Sequence, residues 1–436
     1  MDTRLEQNVK GSQVPGATSI ALAIWCLAFL TFDLPDRLGP ASIGSLDLLA
    51  LAKLLSRLVF LAVFGWTVAC YLKLPRTQRL VGVYLPLLLF VGWAFVSTLW
   101  SPVKTISLGQ SIGQLLLLLM SICVALSCRC QRNETKILFQ LCSALFVFSF
   151  LVIFLHYAFP QWASLSRENY VGLFHPTNVA SAASTGLLLV LGCSMGLKLA
   201  WAQRLALLAV PVHFVALLLS VNRLSLGLVM VLGFAMLMVY GGRIRVTALA
   251  LAGCILLACF LVFDPGLTVG DSLVNATGGY ASRGQSYEQL SALSGRDEMW
   301  RAIWNSYLES PLIGHGYFAC SSTGMLDVWY LYANHTAHNL VLQALVSTGI
   351  IGFLLFFWWI FRLVRLALFP GIGKDYRYLA IFIPLACYFF FWSILNASYL
   401  GPIRPENVMA ACVVGIFLNR VLLSEQENYH RGSKQV

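Results

Sequence analysis

Charge is what this sequence lacks most. Only 11% of its 436 residues are Asp, Glu, Lys or Arg, and 59% are hydrophobic. A soluble domain carries about 25% charge, so an ordinary soluble fold is excluded. No CxxC pattern or other metal-type cysteine spacing occurs. Most of the 12 Cys, such as Cys26, Cys123, Cys193, Cys254 and Cys387, lie in apolar runs and read as small buried hydrophobes. Cys128 and Cys130 fall at an expected cytoplasmic turn, where thiols stay reduced. Cys320 has no evident partner in the sequence. Internal repeats and low-complexity stretches are missing. The net charge of +11 comes without a basic stripe interleaved with aromatics, so it does not point to nucleic acid.

What is present is a series of long apolar runs. A helix needs roughly 20 apolar residues to cross a bilayer. Twelve stretches qualify: 17–34, 46–72, 80–100, 106–128, 136–159, 176–197, 201–220, 223–240, 244–263, 338–361, 376–395 and 405–423. They are too long for barrel strands, and helices satisfy their own backbone polar groups in lipid. The expectation is an all-α polytopic membrane protein of about 12 transmembrane helices. The first run lacks a small-residue cleavage site and reads as a retained helix.

Lys and Arg placement gives the orientation. With the N-terminus in the cytoplasm, every cytoplasmic segment holds at least two of them, for example Lys73, Arg76 and Arg79, or Arg362, Arg365, Lys374 and Arg377. The expected organisation is then a cytoplasmic tail (1–16), nine helices (17–263), one long outer loop (264–337), three more helices (338–423) and a second cytoplasmic tail (424–436). The loop is rich in Gly, Ser and Tyr and too small for an independent core. It should lie on the membrane domain as a cap.

Within the loop, Ser294 is a good N-cap, with Asp297 and Glu298 suited to the positive end of a helix dipole. Trp300, Ile303, Trp304, Tyr307 and Leu308 form a helical stripe, and Pro311 closes it. Arg296 sits in the first turn, where a bound anion would be favoured. A surface pairing with Asp297 or Glu298 is the plainer reading. Immediately after the loop comes His338-Asn339, nine residues, then Gly349-Ile350-Ile351-Gly352. A titratable ring and an amide thus stand at the mouth of a transmembrane helix, and the two glycines read as helix-packing positions.

Taken together, these fragments resemble the O-antigen ligase and polymerase superfamily. They are Ser294-Gly295-Arg296 with Trp300, Ser310-Pro311-Leu312-Ile313-Gly314-His315-Gly316, and His338-Asn339 with Gly349 and Gly352. Gly172-Leu173-Phe174-His175-Pro176-Thr177-Asn178 fits too, with one residue inserted between Pro and Asn. Ser220-Val221-Asn222-Arg223 fits with Asn where Ser is usual, as does Leu99-Trp100-Ser101-Pro102. The resemblance runs from about 90 to 360. It implies a GT-C-like, metal-independent inverting glycosyltransferase without a cofactor. The implied donor is a glycan on undecaprenyl pyrophosphate at the periplasmic face of the bacterial inner membrane. Ligases pass the glycan to lipid A–core, and polymerases to another repeat unit. The single dominant outer loop and the His-Asn-x9-Gly-x2-Gly spacing favour the ligase.

The residue chemistry suits those roles. An attacking sugar hydroxyl must lose a proton, and imidazole is the natural base near neutral pH. His338 begins a helix, whose dipole favours the neutral ring a base requires. A pyrophosphate leaving group suits Arg, always charged and able to bind with two parallel hydrogen bonds. Arg223, Arg296 and Arg301 are the outer candidates, with Asn339, Asn222, His175 and Asn178 in support. Plainer readings stand beside these. His338 alone also fits an interfacial histidine, His175 a helix cap, and Arg223 a snorkelling end charge. His315, His335 and His338 lack the carboxylate or Cys spacing that would complete a zinc site. No Asp-x-Asp occurs in the loop, which argues against a metal-using sugar-nucleotide enzyme. A transporter fits the helix count but calls for ionisable residues at mid-membrane. Those are nearly absent from the apolar runs, Lys53 and Arg57 excepted.

Overall fold

The computed structural model describes residues 17–29, 48–102, 104–128, 131–165, 173–241, 296–318, 337–368, 376–396, 400 and 403–432. Everything described is helix or connection: α1 (Ala17–Phe29), α2 (Leu48–Tyr71), α3 (Pro75–Val96), α4 (Lys104–Ser127), α5 (Gln131–Ala158), α6 (Pro176–Leu191), α7 (Ala200–Leu219), α8 (Arg223–Tyr240), α9 (Arg296–Glu309), α10 (Leu340–Leu368), α11 (Tyr376–Asn396) and α12 (Pro405–Gly432). Among the described residues nine of these are long and apolar enough to cross a membrane, α2 to α8 with α10 and α11. The protein is an all-helical, multi-pass membrane protein. α1 and α12 coincide with the first and last expected spans, and the expected span 244–263 lies outside the described residues.

Small residues decide which helices sit at the centre. α6 carries Ala180, Ser181, Ala182, Ala183, Ser184 and Gly186, all buried. Without large side chains its backbone comes close to its neighbours, the usual route to tight packing in lipid. Gly186 faces the ring of His213 on α7; a Cβ there would lie 2.4 Å from ring Cε1. His213 is buried and its Nδ1 meets Ser149 Oγ at 2.9 Å. α4 and α12 pack closely in the same way, Gly415 resting on the Ser121 carbonyl.

The two ends of the bundle differ. At one, Arg420 of α12 meets Glu134 of α5 at 2.7 Å and lies over the Tyr378 ring of α11. Asn419 Nδ2 donates to the Cys128 carbonyl at 2.8 Å, and Arg76 bonds Asn419. A buried ion pair of this kind fixes register rather than adding much net stability. At the other end stand the starts of α4, α6, α8, α10 and α12. That end holds His338.

Candidate functional site

His338 is set by the turn in front of α10. Asn339 is the N-cap: its side-chain oxygen accepts from the backbone N–H groups of Val341 (2.9 Å) and Leu342 (3.1 Å). His338, the residue before the cap, takes a left-handed φ of 46°. Such a conformation costs about 1–3 kcal/mol and persists where the surroundings over-determine it. Here they do. The preceding N–H, of Ala337, donates to Oε1 of buried Gln343 at 2.8 Å, and Gln343 Nε2 donates to Ser347 Oγ at 3.0 Å. The Ala337 carbonyl accepts from Trp300 Nε1 of α9 at 3.0 Å. The half-buried His338 ring is therefore aimed by its neighbours' backbones.

α9 presses its Met299 and Ile303 against Ala337 and Val346, with Trp300 and Tyr307 alongside. The buried face differs from the expected stripe. Met299 is inside, while Trp304 and Leu308 are 45% and 56% exposed. The stripe is rotated because Trp300 must reach Ala337. Arg301 is exposed.

The two glycines after His338 do different work. Gly352 fits the packing expectation: a Cβ there would come within 3.0 Å of Trp93 on α3. Gly349 does not serve packing between regular helices. It breaks α10, with φ 64° and ψ −173°, a combination essentially restricted to glycine. Into the break runs the Pro311–Gly316 segment. The N–H groups of Ile350 and Ile351 donate to the carbonyls of Pro311 (2.9 Å) and Leu312 (3.4 Å). In return His315 and Gly316 donate to the carbonyls of Val346 (2.9 Å) and Ser347 (3.0 Å). Trp93 Nε1 donates to the Thr348 carbonyl at 2.9 Å, Trp100 Nε1 to that of Gly314 at 3.2 Å, and the Tyr317 N–H to Ser97 Oγ at 2.8 Å. The backbone groups freed by the break are thus taken up by the loop, as buried polar groups require. The His315 ring is engaged too, Nε2 donating to the Ser306 carbonyl at 2.7 Å.

The second neighbourhood at this end lies where α6, α8, α11 and α12 meet. Asn222 caps α8, its side chain accepting from the Ser225 N–H at 3.0 Å, and Arg223 is the first helical residue. Val221, before the cap, has φ 48°, a genuine outlier for a β-branched residue. The sequence left-handed residue, Asn cap, helix thus occurs at both Val221-Asn222-Arg223 and His338-Asn339-Leu340. His175 caps α6, accepting from the Thr177 N–H at 3.3 Å, as its plainer reading has it. Asn178 is in the first turn of α6, and its buried Oδ1 has no hydrogen-bond partner among the described residues. Ser225 Oγ and Tyr388 Oη of α11 are 3.0 Å apart.

Three of the four supporting candidates, Asn339, Asn222 and His175, are therefore helix caps. Arg296 begins α9; His335 lies outside the described residues. Sequence reading passed over Arg404 and Glu406 at the start of α12. A single carboxylate after Pro405 looks like an ordinary first-turn acid, and only its burial sets it apart.

A cation in a first turn opposes the helix dipole, by about 0.3–1 kcal/mol at exposed sites. Arg223 and Arg296 both begin helices, so a bound anion at either would relieve that opposition and use the free N–H groups. The His338 ring thus stands ahead of one helix and Arg223 at the head of another, at the same end of the bundle. A search of curated proteins finds no match. Residues 205–357 match the family described as O-antigen ligase. That stretch contains Arg223, α9, the docked Pro311–Gly316 segment, His338 and the Gly349 break, and the match over it supports the O-antigen ligase superfamily.

Proposed function

We propose that this protein is an inverting glycosyltransferase that moves a glycan from undecaprenyl diphosphate to a sugar of lipid A–core. His338 is the general base. It takes the proton of the acceptor hydroxyl as that oxygen bonds to the anomeric carbon. The bond from that carbon to the diphosphate oxygen breaks, and its electron pair leaves with the diphosphate. Arg223 and Arg296 hold the departing charge, with Arg301 a lesser contributor. A well-clamped diphosphate leaves without needing a metal. Lys and Arg gather at the bundle end opposite His338, which supports both termini in the cytoplasm and the site at the periplasmic face of an inner membrane.

The observation that carries this reading is the left-handed His338, set between Ala337, whose N–H and carbonyl are tied to Gln343 and Trp300, and the Asn339 cap of α10. Strain maintained by so many partners marks a functional position. The experiment supplies full-length protein in lipid nanodiscs with a polyprenyl-diphosphate glycan, with or without lipid A–core. Glycan on lipid A–core is expected; a ladder on the carrier instead would make the protein a polymerase. His338→Ala should lower turnover by about 10²–10⁴ while keeping donor binding. Near-normal turnover by folded His338→Ala would remove His338 from the mechanism.

A further inference from the structure

Arg404 and Glu406 head α12 at the same end of the bundle as His338. Arg404 is the cap position, its carbonyl accepting from the N–H groups of Asn407 (3.0 Å) and Val408 (3.1 Å). The Glu406 side chain is 0% exposed, and neither of its oxygens has a hydrogen-bond partner among the described residues. Its ionic neighbour is Arg404, whose Nη1 stands 4.0 Å away with the side chain 20% exposed. Ser181 of α6 and Tyr388 of α11 are within electrostatic reach of Glu406. Tyr388 in turn touches Ser225, two residues into the helix that Arg223 begins.

This arrangement is unusual for a structural ion pair. A buried carboxylate is ordinarily matched by close, multiple donors, because its desolvation is costly. The ion-pair contact here is a single one at the outer limit of pairing, and Ser181 is the other side chain that favours the carboxylate. A guanidinium carries five N–H donors in a planar fork with two usable edges. Nη1 of Arg404 is the nitrogen nearest Glu406, and no other ion pair or side-chain hydrogen bond engages the guanidinium among the described residues. The partly exposed Arg404 precedes α12 at the end of the bundle where Arg223 begins α8.

We infer that Arg404 is a phosphate-binding residue, with buried Glu406 the positioning residue that fixes its fork. The inference rests on the glycosyltransferase reading and extends it by one residue. The phosphate is either the diphosphate of the lipid-linked donor or a phosphate on the lipid acceptor, and kinetics separate the two.

The test uses full-length protein in nanodiscs and compares wild type with Arg404→Gln, Arg404→Lys and Glu406→Gln. Binding of undecaprenyl diphosphate is measured directly, with undecaprenol as the uncharged control, and transfer kinetics are recorded separately. Loss of one charge-assisted contact should weaken phosphate binding about tenfold in Arg404→Gln. Arg404→Lys should recover only part of it. A raised KM for donor assigns the donor diphosphate; a raised KM for lipid A–core, with donor binding unchanged, assigns the acceptor phosphate. Glu406→Gln should raise the same KM as Arg404→Gln with kcat little changed, which a merely structural role would not do. Binding and both KM values at wild-type levels in folded Arg404→Gln overturn the inference alone. A wild type that neither binds undecaprenyl diphosphate nor transfers glycan overturns the underlying reading as well.

Discussion

Replacing Gly349 with alanine should disable the protein without unfolding its membrane helices. At φ 64° and ψ −173° an alanine carries roughly 1–3 kcal/mol of backbone strain. Its Cβ would also stand 2.2 Å from the Leu312 carbonyl oxygen. Ordinary contact needs the loop to retreat by roughly 1 Å, and that loop is held by backbone hydrogen bonds to Val346, Ser347, Ile350 and Ile351. At about 1 kcal/mol each, losing all four brings the local cost to roughly 5–7 kcal/mol. The Pro311–Gly316 segment would then undock. α9 ends just before that segment, so Trp300 would lose its grip on Ala337 and His338 its orientation. A misplacement of about 1 Å at a reacting group costs on the order of 100-fold in rate. The assay is transfer from a polyprenyl-diphosphate glycan to lipid A–core by protein in nanodiscs, with hydrogen exchange followed over 310–318. Turnover should fall at least about 100-fold and exchange in that segment should rise. Gly82→Ala is the control, since a Cβ there meets nothing within 4 Å. Gly349→Ala with turnover within about twofold of wild type would show that the docked segment does not govern His338.

Smaller perturbations test the same chain of contacts. Trp300→Phe keeps an aromatic ring but removes the N–H that bonds the Ala337 carbonyl, with part of the indole's packing; loss of the hydrogen bond, about 1 kcal/mol, should lower kcat at least about fivefold, with donor binding unchanged. Weaker donor binding at constant kcat would instead make Trp300 a substrate-stacking residue. Transfer should continue at full rate in EDTA, since His315 is tied to Ser306 and the loop sequence offers no carboxylate pair at ligand spacing; loss rescued by a single metal would overturn this.

Much of the fold was legible because lipid makes a simple demand. Apolar length and Lys/Arg placement locate helices without any knowledge of their partners, and the expected spans within the described residues coincide with helices apart from their exact ends. The site was legible as a set of residues but not as a geometry. The spacing from His338 to Gly349 and Gly352 was plain in the sequence. Nothing local distinguished a glycine that packs, Gly352, from one that breaks its helix, Gly349, because the difference lies in a loop some 35 residues earlier in the chain. The rotation of α9 was hidden for a similar reason: periodicity groups Trp304 and Leu308 with Ile303, whereas the hydrogen bond from Trp300 selects the face. Glu406 was invisible because burial depends on what other helices bring to it.

The docking at Gly349 also bears on how the chain returns to His338. The chain leaves the docked segment at Phe318 and returns at Ala337, and both sides of that interval are stitched to the same half of α10, at Ser347 through Gly316 and at Gln343 through Ala337. Whatever joins Phe318 to Ala337, the backbone on either side of it is fixed to α10, and His338 follows directly from the second of those anchors.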